Sequence, residues 1–173
     1  MALKTKDRRR SGARHDAPPS RARPVVLATL SVRVDPSAER MAIDSAIEAG
    51  VPLVIANFAR LPPYPRALAL GGPGAAILPH EEDVDAVRAT AARAAALGLH
   101  TEHLRVATQR PVRAILEVVT EKDAGLLVFG PDRTLVKPRR LRRAAAELRR
   151  DATCLVWCVE SDAPGGPHAP PSG

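Results

Sequence analysis

Aromatic side chains make up only 2% of the 173 residues, with one Trp, one Tyr and two Phe. The core must therefore be built from Val, Leu, Ile and Ala, and few rings remain for stacking nucleobases. Cysteine is nearly absent, occurring only as Cys154 and Cys158. On a shared strand, four residues at about 3.3 Å each set them roughly 13 Å apart, too far to bridge one another. No apolar run reaches the length of about 18 residues that a spanning helix needs. The basic N-terminus also lacks the apolar stretch of a secretory signal. These absences together point to a reducing cytoplasm. Lysine is scarce too, with 4 against 22 arginines, a bias that reads as a GC-rich bacterial genome before it reads as function.

Hydrophobic residues nevertheless make up 45% of the chain, which excludes wholesale disorder, and the length suits one domain better than two. The net charge of +7 is uneven. Residues 1–23 hold eight Lys/Arg against two Asp (+6), and residues 133–150 hold eight against Glu147 (+7). Residues 24–132 carry ten basic and thirteen acidic side chains (−3), and the last stretch adds −3. The body is thus near neutral apart from one arginine-rich segment, and each basic patch needs its own explanation.

Residues 1–23 have almost no apolar content and residues 161–173 are Pro/Gly-rich, so both are expected to be disordered tails around a domain of residues 24–160. Between them strands and helices alternate. Val25 to Leu30 has the unbroken apolar character of a buried parallel strand. Asp35-Pro36 supplies an N-cap and a first helical residue. The helix they open buries Ala38, Met41, Ala42 and Ala46 and stops at Gly50. Val51 to Phe58 is the second strand. A long loop, Ala59 to His80, then leads through Glu81-Glu82-Asp83 into a helix ending near Leu97-Gly98. Thr101 to Thr108 alternates as a third strand. Pro111 opens a helix whose inner face is Ala114, Ile115, Val118 and Val119. Leu126 to Phe129 is a fourth strand ending at Gly130, Lys137 to Arg150 a basic helix, and Cys154 to Val159 a fifth strand.

This alternation predicts a doubly wound α/β fold, a five-stranded parallel sheet of order 3-2-1-4-5 with two helices on each face. Ligands of such sheets sit beyond the C-terminal strand ends, here Leu30-Ser31, Ala56-Asn57 and Phe129-Gly130. No Ser/His/Asp grouping, paired-carboxylate signature or Walker motif occurs, so no catalytic centre is expected. His100 and His103 have neither Cys nor carboxylate at ligand spacing, so no metal is expected. Gly71-Gly72-Pro73-Gly74 makes a poor phosphate loop, because Pro73 lacks an N–H and no strand runs directly into it. Cys154, Val156 and Cys158 share one strand face and read as core.

Two stretches carry a family resemblance: Arg110-Pro-Val-Arg-Ala-Ile-Leu-Glu-Val-Val-Thr-Glu-Lys-Asp-Ala-Gly-Leu-Leu-Val-Phe-Gly130, and Ala152-Thr-Cys-Leu-Val-Trp-Cys-Val159. With the element order, they resemble the universal stress protein family over about residues 24–160. The resemblance implies a Rossmann-like fold of the adenine nucleotide alpha hydrolase-like kind. Members that bind ATP carry G-x2-G-x9-G-[S/T] after the fourth strand, since backbone N–H groups there must approach phosphate oxygens closely. Here only Gly130 matches. Arg133 holds the second glycine position, and the final pair falls on Arg142-Arg143 or Arg143-Ala144, depending on the end from which one counts. The family's Asp at the end of the first strand falls on or near Leu30. ATP in the family's pose is therefore expected to bind no better than roughly millimolar, about −4 kcal/mol.

The leading expectation is a non-catalytic, stress-response regulatory module without a cofactor. By the resemblance it dimerises through its last strand, Leu155, Val156, Trp157, Cys158 and Val159, with Trp157 as anchor. The second reading is a sensor of an anionic small molecule, with ligand residues Thr29, Leu30, Ala56, Phe129, Gly130, Arg133, Arg142 and Arg143. In it guanidinium groups replace the lost backbone donors. Nucleic acid is not the expected partner. The third reading leaves it only counterion release by the N-terminal tail.

Overall fold

The computed structural model describes residues 22–61 and 81–159, the backbone alone for 81–84. The expected tails and the Gly71–Gly74 segment lie outside these residues, except that Arg23 docks on the body. Its guanidinium donates to the carbonyls of Asp123 (3.3 Å) and Ala124 (3.1 Å).

The elements are β1 (Val25–Thr29), α1 (Pro36–Ala49), β2 (Leu53–Arg60), α2 (Glu81–Ala96), β3 (Thr101–Thr108), α3 (Pro111–Glu121), β4 (Leu126–Phe129), α4 (Pro138–Asp151) and β5 (Leu155–Cys158). The sheet order is β3-β2-β1-β4-β5 and every pairing is parallel, as the alternation of elements predicts. Registers such as Thr29↔Asn57 and Ala28↔Phe129 align the strand ends along one edge.

Helix boundaries follow local chemistry. Asp35 caps α1, its Oδ1 accepting from the Ser37 N–H at 2.9 Å, and Pro36 takes the first turn. Gly50 ends the helix with φ 63°, a left-handed conformation that costs glycine little. The Val51 N–H then returns to the Ala46 carbonyl. Val51 therefore belongs to the helix cap, and β2 begins two residues later than the apolar run suggests. At the other end β2 continues to Arg60, past the expected Phe58. On α1 the buried set is Ala38, Ala42, Ile43 and Ala46, with Met41 only half-buried, because the inner stripe runs through Ile43.

Two apolar layers sandwich the sheet. Val25 and Leu27 of β1 join α1 and α2, whereas Val26 and Ala28 join α3 and α4. Phe58, Phe129, Leu27, Ile55 and Ile115 are among the largest fully buried side chains. Each contributes roughly 1.5–3 kcal/mol by leaving water. Cys154 and Cys158 are buried and unbridged, and burial pushes the Cys154 thiol pKa up. That protonated, enclosed state suits packing and not nucleophilic chemistry.

Candidate functional site

The order β3-β2-β1-β4-β5 puts the topological switch point between β1 and β4, where a doubly wound sheet opens its ligand crevice. Two loops meet there, Leu30–Asp35 after β1 and Gly130–Lys137 after β4, and they are zipped together. Val34 and Pro131 form an antiparallel bridge. The Asp35 N–H donates to the Gly130 carbonyl at 2.9 Å, and the Asp132 N–H to the Arg33 carbonyl at 3.0 Å. Arg33 Nε then donates to Asp132 Oδ2 at 2.5 Å, and Arg133 Nε lies 3.8 Å from Asp35 Oδ2.

Several backbone donors of the loop after β4 are directed inward. Gly130 N–H goes to the Ala28 carbonyl, Pro131 has none, and Leu135 N–H goes to the Asp132 carbonyl. Thr134 gives both its N–H (2.9 Å) and its hydroxyl (2.6 Å) to Asp132 Oδ1. Asp132 is only 7% exposed, and burial alone raises a carboxyl pKa. Hydrogen bonds from Thr134 and Arg33 outweigh that and hold it below the usual carboxylate range. An anionic carboxylate therefore lies within the loop to which the resemblance gives phosphate binding.

Gly130, the one glycine matching the family pattern, has a packing role. A Cβ built there would fall 1.9 Å from the Cβ of Ala38 on α1. Its presence follows from how closely α1 crosses the end of β4, whether or not a phosphate ever binds. The β1 side is equally closed. Thr29 is fully buried and its hydroxyl donates to the Val32 carbonyl at 2.8 Å. Ser31, held at φ 53°, takes its N–H to Asn57 Oδ1 and its hydroxyl to the Phe58 carbonyl. Ala56 and Phe129 lie fully buried beneath.

The arginine set splits. Arg133 turns toward Asp35, and Arg142 is exposed and does not line the cleft between α3 and α4. Only Arg143, with Leu30, lines the open cleft of about 480 Å³ on the α3/α4 face of the sheet. Its other charged walls are Arg60 at the tip of β2, Arg110 and Arg113 at the start of α3, and Arg140 and Glu147 on α4. Arg113 pairs with Glu117 at 3.0 Å. Among the described residues Arg60, Arg110, Arg140 and Arg143 have no carboxylate within ion-pair distance. Burial lowers the Arg140 pKa, and repulsion from Arg60 lowers it further. Residues 140, 143, 144 and 147 recur at helical spacing, a sequence signal that identifies the cleft face of α4 and that the expected set of Arg133, Arg142 and Arg143 misses.

The candidate dimer strand is an edge of the sheet, paired on one side with β4. Leu155 is 39% exposed and Trp157 half-buried against both core layers, while Val156, Cys158 and Val159 point into the domain. No group of three or more His, Cys, Asp or Glu among the described residues is placed to hold a metal. Burial lowers the His103 pKa, with Arg88 and Arg105 adding to the effect. No helix among the described residues is long and apolar enough to cross a membrane.

The sequence profile of the universal stress protein family matches residues 22–160. Solved structures agree in fold. The universal stress protein UspA from Lactobacillus plantarum superposes with a TM-score of 0.57 at 16% identity, covering 80% of this chain and 99% of that one. A protein of the same family from Burkholderia pseudomallei gives 0.56 at 19% identity, covering 82% and 98%. A universal stress protein in complex with cAMP gives 0.50 at 24% identity, covering 81% and 98%. No curated protein sequence matches the chain.

Proposed function

The chain belongs to the universal stress protein family, and on that premise we propose that it is a non-catalytic regulatory module of the stress response that no longer reads adenine nucleotides in the family's manner. The observation that carries this reading is the closed switch point. Gly130, Asp132, Thr134 and Leu135 of the loop after β4 spend their N–H groups on Ala28, Arg33 and Asp132, and Asp132 adds negative charge to the loop that would have to hold a phosphate. Opening the loop for a ligand would break the Asp132 bonds and the Val34–Pro131 bridge. It would also leave a nearly buried carboxylate without partners, at a cost of roughly 1–3 kcal/mol or more before any contact is gained.

The proposed module works in the cytoplasm as a homodimer formed along β5, with Leu155 and Trp157 meeting their symmetry mates. The exposed Leu155 beside the half-buried Trp157 on an edge strand supports this reading, since such an edge invites pairing with a second copy. Equilibrium dialysis with cAMP and AMP at physiological salt tests the nucleotide part. No saturable binding below about 1 mM is expected. Low-micromolar binding of either compound overturns the reading.

A further inference from the structure

The cleft between α3 and α4 opens beside the closed switch point and shares Leu30 with it. Its walls and its floor differ in kind. Five guanidinium groups reach the walls from three distant segments: Arg60; Arg110 and Arg113; and Arg140 and Arg143. Among the described lining residues Glu147 is the single carboxylate, and Glu117 satisfies only Arg113. Like charges gathered this way repel one another, and a partner of opposite charge would offset that repulsion. Arg140 registers the strain, since burial lowers its pKa and Arg60 lowers it further. The floor is apolar, made of Leu30, Pro111, Val112 and Ala144. Val112 is only half-buried and so keeps apolar surface open to the cleft. An apolar centre ringed by polar groups, with arginine prominent among them, is the anatomy of a protein-binding surface. Among the described residues no aromatic ring lines the cleft, so it offers no platform for a base.

We propose that this cleft docks an acidic segment of a partner protein, one that sets apolar side chains on the floor and carboxylates against the arginines of the walls. This role rests on the non-catalytic reading above, since a module without a reaction acts through contact. Arginine suits it, because the guanidinium fork grips carboxylates bidentately. The N-terminus of α3, an eleven-residue helix that opens at the cleft through Pro111 and Val112, has no side-chain cap. Its first-turn N–H groups and dipole favour one of the partner's carboxylates there. The volume of about 480 Å³ holds a few side chains and not a folded domain, so the cleft reads a short segment. An apolar stripe flanked by carboxylates, laid along the groove between two helices, meets both the floor and the walls.

Fluorescence anisotropy with the full chain and a labelled synthetic peptide, amphipathic with a leucine stripe flanked by glutamates, provides the test. Two control peptides replace every leucine by serine or every glutamate by glutamine. Two charge-matched double variants of α4 are compared: Arg140→Gln with Arg143→Gln, which line the cleft, and Arg139→Gln with Arg142→Gln, which do not. Circular dichroism verifies folding, and Arg60→Gln with Arg110→Gln replaces the first pair should it unfold. Saturable sub-millimolar binding of the leucine–glutamate peptide is expected. It should weaken at least about tenfold in either control peptide and in the cleft pair, and less than about threefold in the other pair. Absence of saturable binding in the unaltered chain would overturn the proposal. So would a serine peptide that binds within about threefold of the parent, which leaves plain charge attraction, or equal losses in both variant pairs. A DNA duplex that binds more tightly than the peptide and displaces it would overturn the protein partner in favour of nucleic acid. ATP is titrated separately to keep the two readings apart. Low-micromolar ATP binding with the peptide results as expected would overturn the loss of nucleotide reading and leave the docking role standing; absent ATP binding together with absent peptide binding would overturn the docking role alone.

Discussion

Gly130 and Ala38 meet so closely that a Cβ on the glycine would lie 1.9 Å from the alanine Cβ. Both belong to the scaffold, one at the end of β4 and the other on the inner stripe of α1. Gly130→Ala is therefore expected to destabilise the domain by about 1–3 kcal/mol or more, since α1 must lift away from the sheet. Adding Ala38→Gly makes room and should restore part of that loss in a denaturant titration. If the single variant proves as stable as the parent, the packing explanation for this glycine fails.

Asp132 predicts a specific acid response. Burial raises its pKa, but the Thr134 and Arg33 hydrogen bonds outweigh burial and the net shift is downward. Glu39 is shifted downward as well, first through its hydrogen bond from Arg93. A depressed carboxylate stabilises the fold fully above its unfolded pKa, about 4, and the contribution disappears as pH falls through the lower folded value. Melting temperature should thus lose stability from these two groups only below about pH 4. Asp132→Asn should lower stability at pH 7 by about 1–3 kcal/mol and flatten the acid slope. An unchanged slope in that variant would show that Asp132 does not hold the loop.

The strand order was legible because strands such as Val25–Thr29 and Leu126–Phe129 carry unbroken apolar runs, Thr101–Thr108 alternates, and helix starts carry signals such as Asp35-Pro36 and Pro111. The closed switch point was not. It depends on Asp132 reaching Arg33, 99 residues earlier, and no local pattern encodes such a pairing. The cleft was half-legible. Leu141, Ala144, Ala145 and Leu148 form the buried stripe of α4, and Arg140, Arg143 and Glu147 flank one side of it. That much follows from helical spacing. Arg60 and Arg110 come from separate segments and join only through the sheet, so their role emerges from topology.

The N-terminal arm makes a further prediction. Removing residues 1–21 should leave the melting temperature nearly unchanged, because their composition offers few packed contacts. Arg23 differs, since it donates to the Asp123 and Ala124 carbonyls at the entrance to β4. Arg23→Ala should cost about 0.5–1.5 kcal/mol. A large drop on removing residues 1–21 alone would mean that the arm packs on the domain.

For the β5 edge, Leu155 is the sharper probe. It is 39% exposed, whereas Trp157 packs against both core layers, so a charge at 157 threatens the fold along with any interface. Leu155→Lys should yield a folded monomer in light scattering where the parent chain is a dimer. A folded Leu155→Lys protein that remains dimeric would move the interface elsewhere.

The most direct test of the central claim, that the closed switch point no longer reads adenine nucleotides, is titration calorimetry of ATP at physiological salt. The account predicts no saturable binding below about 1 mM, because the loop after β4 is held on Asp132. Low-micromolar ATP binding would contradict it.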